Sequence, residues 1–137
     1  MMNDEVRPLP VPNDEDREFW EAARSHRFVL PRCESCGHVW FPPYAACPRC
    51  LSRERTWVEA SGRGTIAGVA RFHRQYLPSF PPIHTVVLVQ LSEGPYVYAN
   101  IVDSDPAEAA VGLAVSVVFE DVTPEISLPQ FRLAQAG

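Results

Sequence analysis

"CESCGHVWFPPYAACPRC", residues 33–50, holds all four cysteines of a 137-residue chain, as two Cys-x-x-Cys pairs separated by ten residues. A two-residue gap lets both thiolates of a pair point at one ion, and four soft ligands in a tetrahedron suit structural zinc. Cys33, Cys36, Cys47 and Cys50 are therefore the candidate metal ligands, with iron as a substitute ion of the same thiolate chemistry. Gly37 follows the first pair and supplies a permissive backbone, whereas Leu51 stands at the equivalent place after the second. His38 is close enough to be a substitute ligand, but with four thiolates at hand it is expected beside the site. A thioredoxin-type redox pair would need a βαβ unit, and no such pattern surrounds these residues.

Working outward, residues 28–60 contain short segments broken by the Cys pairs and by "FPP" at 41–43, without helical period. About 30 residues of this kind cannot bury a self-sufficient core, so the segment reads as a metal-clipped ribbon. On its N-terminal side, residues 1–27 read as an extended arm followed by a helix. Asn13 is the expected cap of "DEDREFWEAARSHR", acidic residues fill the first turn, and Phe19, Trp20 and Ala23 form an apolar stripe.

On the C-terminal side, residues 61–137 change character after "SGRG". Five β-branched and aromatic runs follow: "TIAGVARFHRQY", "HTVVLVQL", "YVYANIVD", "VSVVFEDV" and "ISLPQFRL". "SEGP" at 92–95 predicts a tight turn between the second and third, and "DPAEAAVG" at 105–112 a short helix between the third and fourth. The expected architecture is mostly β: an N-terminal helix, a zinc ribbon and a five-stranded OB-fold barrel, with an SH3-like barrel or small sandwich as alternatives.

The formal net charge of -5 hides a division along the chain. Residues 24–74 carry nine of the twelve arginines against three acids, and there is no lysine. The acidic remainder argues against a general nucleic-acid binder. A nucleic-acid-binding ribbon and barrel nevertheless stays as the alternative function, because both folds serve that role elsewhere. The longest apolar runs, such as "TVVLV" at 85–89, are too short to span a bilayer, and the acidic, proline-bearing start is unlike a secretory signal. A cytoplasmic location is expected, which favours metal over disulfides for the thiols.

No nucleophile elbow, phosphate loop, dinucleotide fingerprint or His-Glu-x-x-His motif accompanies the four histidines. The chain reads as non-catalytic. A weaker third reading has a stand-alone hydrolase or acyl carrier working through His73 or His84.

The order of "FWEAARSHRFVLPRCESCGHVWFPP", "CPRC", "WVEASGRGTI", "VVLVQLSEGPYVYANIVD", "VGLAVSVVFE" and "LPQFRLA" resembles the rubredoxin-like zinc-ribbon plus OB-fold family catalogued as domain of unknown function thirty-five. The resemblance covers nearly the whole chain. It implies an acyl-CoA-associated accessory subunit of thiolase-like or lipid-transfer-protein-like enzymes, including systems that degrade steroid or fatty-acid side chains. On that reading the basic middle meets the phosphates of coenzyme A, with Arg63, Arg71 and Arg74 as candidate grips. Tyr76 and Phe80, in the proline-stiffened "YLPSFPP" loop, become candidate partner contacts.

Overall fold

The computed structural model describes residues 10–72 and 84–134. Helix α1 (Arg17–Arg24) is followed by β1 (Val29–Cys33) and β2 (Arg55–Glu59), which pair antiparallel as a two-stranded sheet. Strands β3 (Arg63–Phe72), β4 (His84–Leu91), β5 (Tyr96–Ala99), β6 (Ala114–Asp121) and β7 (Ser127–Leu133) form a five-stranded sheet in the order β5-β4-β3-β6-β7.

That sheet curls until its two ends meet. Ile101, just past β5, bridges Phe131 of β7 in parallel, with Val102 N donating to Phe131 O at 2.8 Å and Phe131 N to Asn100 O at 3.2 Å. The buried Gln130 side chain completes the seam by accepting from Asn100 N at 2.9 Å. Five strands joined in this order, with one parallel closure, make an OB-fold barrel. The SH3-like and sandwich alternatives are set aside by it.

Local chemistry explains the strand bounds. Val87, Val89 and Leu91 of β4 point inward at alternate positions, and Gly64 and Ile66 occupy the buried positions at the start of β3. A register shift between Ile66 and Gly68 bulges the strand after the part that pairs with both β4 and β6. Pro129 sits within β7 opposite Phe119, where its missing N–H costs no ladder bond on the weakly paired outer edge. The short helix expected at 105–112 is a single 3-10 turn, Pro106–Glu108, capped by Asp105, whose carboxylate accepts from Ala107 N at 3.0 Å.

Helix α1 starts later than the sequence suggests. Asn13 Oδ1 accepts from Glu15 N and Asp16 N, while Asp16 Oδ1 accepts back from Asn13 N, so Asn13 caps a preceding turn and Asp16 becomes the helix cap. The buried face is Phe19, Ala22 and Ala23, with Trp20 only half-buried. One core runs through helix, ribbon root and barrel. Phe28 meets Phe19 at 5.8 Å, Phe119 at 6.4 Å and Phe131 at 6.5 Å between ring centroids.

Candidate metal centre

The two Cys-x-x-Cys turns are near-copies of each other. In the first, Cys33 N donates to His38 O and Gly37 N to Cys33 O; in the second, Cys47 N donates to Ser52 O and Leu51 N to Cys47 O, all between 2.8 and 2.9 Å. Both need a left-handed residue after the second cysteine. Gly37 takes it at φ 80°, and Leu51 takes it at φ 67° with its side chain 75 % exposed. The departure at Leu51 is thus one of residue type, not of geometry, and costs the steric penalty that glycine avoids.

The turns aim amides and sulfurs at a common point. Cys36 N approaches Cys33 Sγ and Arg49 N approaches Cys47 Sγ, each at 3.4 Å. Cys33 Sγ lies 3.5 Å from Cys50 Sγ and Cys36 Sγ 3.7 Å from Cys47 Sγ, and all four sulfurs lie within 4.8 Å of one another. A tetrahedral ion with metal–sulfur bonds near 2.3 Å requires sulfurs about 3.8 Å apart. The four thiols fit one such ion. His38 is not part of the group; its ring stacks on Trp40 at 6.3 Å.

Electrostatics point the same way. Burial pushes the Cys33 thiol up, but the Cys36 amide and the Cys50 thiol outweigh it and bring it down to about 6. Cys47 is also lowered: burial again raises it, and the amides of Cys50 and Arg49 prevail. Cys50 is held by the Ser52 amide on one side, yet the Cys33 thiol and burial push it up to about 12. Crowded thiols shed some protons and retain others because their charges repel; a divalent cation at the centre lets all four ionise.

Around the centre, Cys33 and Cys47 pack with Trp40, whose Nε1 donates to Tyr44 O at 3.2 Å. Arg55 holds the "FPP" bend from outside, giving Nη1 to Tyr44 O at 2.8 Å and Nη2 to Glu15 O at 2.7 Å while lying over the Trp57 ring. Nothing in the sequence marked Arg55 for this, since a clamp of backbone carbonyls leaves no motif.

The remaining candidate residues are scattered. Arg63 is exposed at the start of β3 and Arg71 near its end, so eight strand steps, roughly 26 Å, separate them. Arg71 Nη2 reaches the carbonyls of Pro106, Ala107 and Ala109 at 3.0 to 3.2 Å, fastening the 3-10 turn to β3. Arg74, Tyr76, Phe80 and His73 lie outside the described residues, and His84 opens β4. A Ser–Asp–His chain does occur: Ser127 Oγ and His26 Nε2 both bond Asp121 Oδ1. With the carboxylate in the middle, no imidazole touches the hydroxyl, so the trio cannot activate a nucleophile. It ties the end of α1 to the barrel instead, with His26 stacked on Phe119 at 5.3 Å.

Comparison with known proteins matches both halves. A family model described as the ChsH2 rubredoxin-like zinc ribbon domain matches residues 20–54, and one described as the ChsH2 C-terminal OB-fold domain matches residues 57–120. A probable enoyl-CoA hydratase alpha subunit of Thermomonospora curvata is 34% identical over 94% of this chain, which spans only 40% of that relative's length. A DUF35 domain-containing scaffold protein of Pyrococcus furiosus is 34% identical, covering 73% of this chain and 74% of the relative. A chain from a solved structure described as an Ltp2-ChsH2(DUF35) aldolase superposes with a TM-score of 0.83 at 33% identity, over 93% of this chain and 100% of that one. The ribbon with its four thiols, the closed barrel behind it and these matches together make the chain a member of the DUF35 family, of ChsH2 type.

Proposed function

We propose that this chain is a non-catalytic accessory subunit that docks on a thiolase-like acyl-CoA enzyme and helps shape or cover its acyl-CoA site. The observation that carries this reading is the full-length likeness to a chain of the Ltp2-ChsH2(DUF35) aldolase. The relatives named as hydratase alpha subunit and as scaffold protein support the same class of work, and nothing in those names supports a nucleic-acid partner.

The centre's chemistry agrees with a structural role. Four thiolates complete a tetrahedral zinc, leaving no open position at which water or a carbonyl could be activated. The ion proposed is one zinc per chain, with iron able to substitute, and reduced thiols fit a cytoplasmic setting. This chain's own residues then supply shape. The Cys turns fix the ribbon, Phe28 carries it onto the barrel core, and the barrel presents its outer face to the partner.

Coenzyme A would be met at one end of β3 rather than along it. Arg71 uses one nitrogen on carbonyls and retains further donors for a phosphate, and Arg74 follows three residues later. Arg63, at the opposite end, would serve the partner instead. Tyr76 and Phe80 remain candidate partner contacts. The acyl chain itself is proposed to be a steroid or fatty-acid side chain.

Co-expression with a thiolase-like aldolase of the Ltp2 type tests the reading. A stable complex is expected, with acyl-CoA turnover falling at least about tenfold when this chain is left out. Turnover by the isolated chain, or a partner enzyme indifferent to it, would reject the proposal.

A further inference from the structure

On the outside of the barrel, β3, β6 and β7 bring three side chains into one cross-strand row. Arg63 pairs in register with Ser116, and Ser116 with Arg132; residues directly opposite in antiparallel strands point to the same side of a sheet. Both arginines are exposed, and Ser116 is half-buried between them. Two strand spacings put the Arg63 and Arg132 backbones roughly 10 Å apart, close enough for both guanidiniums to lean over the hydroxyl. Arg132 turns its Nε toward Ser116 Oγ at 3.5 Å, and its terminal nitrogens meet no acceptor among the described residues.

Neither arginine forms an ion pair with another described residue, whereas Arg17 and Arg27 are paired with carboxylates and Arg55 and Arg71 hold backbone carbonyls. Two like charges side by side favour an anion between them. Their own face does not supply one. Thr65, Ala114 and Ala134, in the next row, are exposed and uncharged, and Val118, on the other side, is apolar. Of the acids nearby, Glu93 gives Oε2 to Ser61 N at 2.8 Å and has Oε1 buried, while Asp103 stands on the rim of a cavity of about 410 Å³ that Ser116 and Arg132 also line. The shape of the face selects the kind of anion. Small ligands are held in concave sites, and the cavity at the edge of this face carries the Asp103 carboxylate, which repels a phosphate. A floor of short side chains with two long cations rising from it suits the surface of another protein instead, where an arginine fork takes a carboxylate bidentately.

We propose that this face of β3, β6 and β7 is where the partner subunit docks, with Arg63 and Arg132 each receiving a carboxylate from an acidic patch of that partner. The partner's kind, a thiolase-like enzyme, rests on the accessory-subunit reading; the preference of the face for carboxylates does not. The chain carries a formal net charge of -5, so an acidic partner is repelled by most of it and is steered to a place where arginines stand unpaired. Arg63→Gln and Arg132→Gln remove the charges at exposed positions and keep polar side chains, which separates docking from folding.

The test has two arms, both on the full metal-loaded chain. In the first, calorimetric titration with an Ltp2-type aldolase should show Kd at least about tenfold weaker for the double variant Arg63→Gln/Arg132→Gln, with a shallower dependence on salt than the wild type. Arg53→Gln, an equal loss of charge on the ribbon, should leave Kd within about twofold. In the second arm, N-acetyl-tetraglutamate amide is added to the free chain and backbone amides are followed by NMR. Saturable shifts at Thr65, Ser116 and Arg132 are expected with a Kd of about 1 to 10 mM, and tetraglutamine should give none. No shift at these amides, equal binding of tetraglutamine, tighter binding of inorganic phosphate than of the peptide, or an equal loss in Arg53→Gln overturns the proposal. An aldolase that assembles normally with the double variant also sinks it while leaving the accessory role standing. Peptide binding by a chain that captures no aldolase removes the accessory role and leaves the carboxylate seat.

Discussion

In the barrel the least exposed side chains are Phe131, Ile66, Leu91, Val87, Val89 and Val115, drawn from four strands that enclose them. In the ribbon, from the end of β1 onward, the separate buried cluster is Cys33, Cys47 and Trp40. The first set excludes water from a closed volume; the second is two ligands and one indole. A segment with so little apolar surface to hide is organised by the ion its sulfurs converge on, and it leans on the barrel through Phe28 and Leu30. The difference teaches that one chain can keep two halves folded by different forces, which different perturbations should separate.

Removing the metal should have the largest effect, and it should be confined. Structural zinc of this kind contributes on the order of 10 kcal/mol to folding of its own module. Cys47→Ser, or a strong chelator, should therefore abolish amide-exchange protection across residues 34–54 and release Trp40, while Val87 and Val89 stay protected. Loss of protection in both halves together would mean the barrel needs the ion too, and the contrast would collapse.

Next comes the barrel's own core. Phe131 is 1 % exposed and also forms the closing bridge to Ile101. Phe131→Ala should cost about 3 to 5 kcal/mol, read from urea unfolding of the metal-loaded protein. Because Phe131 also meets Phe28, the ribbon root should loosen with the barrel, although the four-sulfur site should still hold its ion.

A smaller change sharpens the boundary between the halves. At Gly64 an added Cβ would stand 2.6 Å from both the Gln90 backbone oxygen and Val89 Cγ1. Backbone cannot yield as a flexible side-chain tip can, so Gly64→Ala should force β3 and β4 apart at a cost of about 1 to 3 kcal/mol. Thermal denaturation should show that loss with metal content unchanged. An alanine variant of wild-type stability would show the strands adjust freely there.

These sites also mark what the sequence disclosed. The four cysteines were legible because a metal demands particular residue types at fixed spacing, and the five strands because alternation with turn residues is a local signal. The arginines were legible only as charge. The carbonyls that Arg55 and Arg71 hold belong to chain segments dozens of residues away, which no local pattern announces. Asn13 looked like a helix cap because its type and place suit one. Reciprocal bonding with Asp16 moved the cap three residues on, a competition between two good acceptors that spacing alone does not decide. Glu93 read only as part of a turn, since the burial of one oxygen is a tertiary fact.

The smallest expected effect lies at the seam between α1 and the barrel. The Ser127 hydroxyl and, after it, His26 hold the Asp121 carboxyl below its ordinary value of 3.8. A group whose folded-state value is depressed adds stability that is fully present above the ordinary value and lost as pH falls through the folded one. Asp121 is exposed, so solvent screening keeps the contribution small. Asp121→Asn should thus lower stability slightly at neutral pH and by the same amount down to about pH 5, with the gap to wild type closing below about pH 4. Urea unfolding at a series of pH values measures that gap. A difference that persists undiminished at about pH 2 would show that the carboxylate's charge is irrelevant and that the hydrogen bonds of the uncharged side chain to Ser127 and His26 account for the effect.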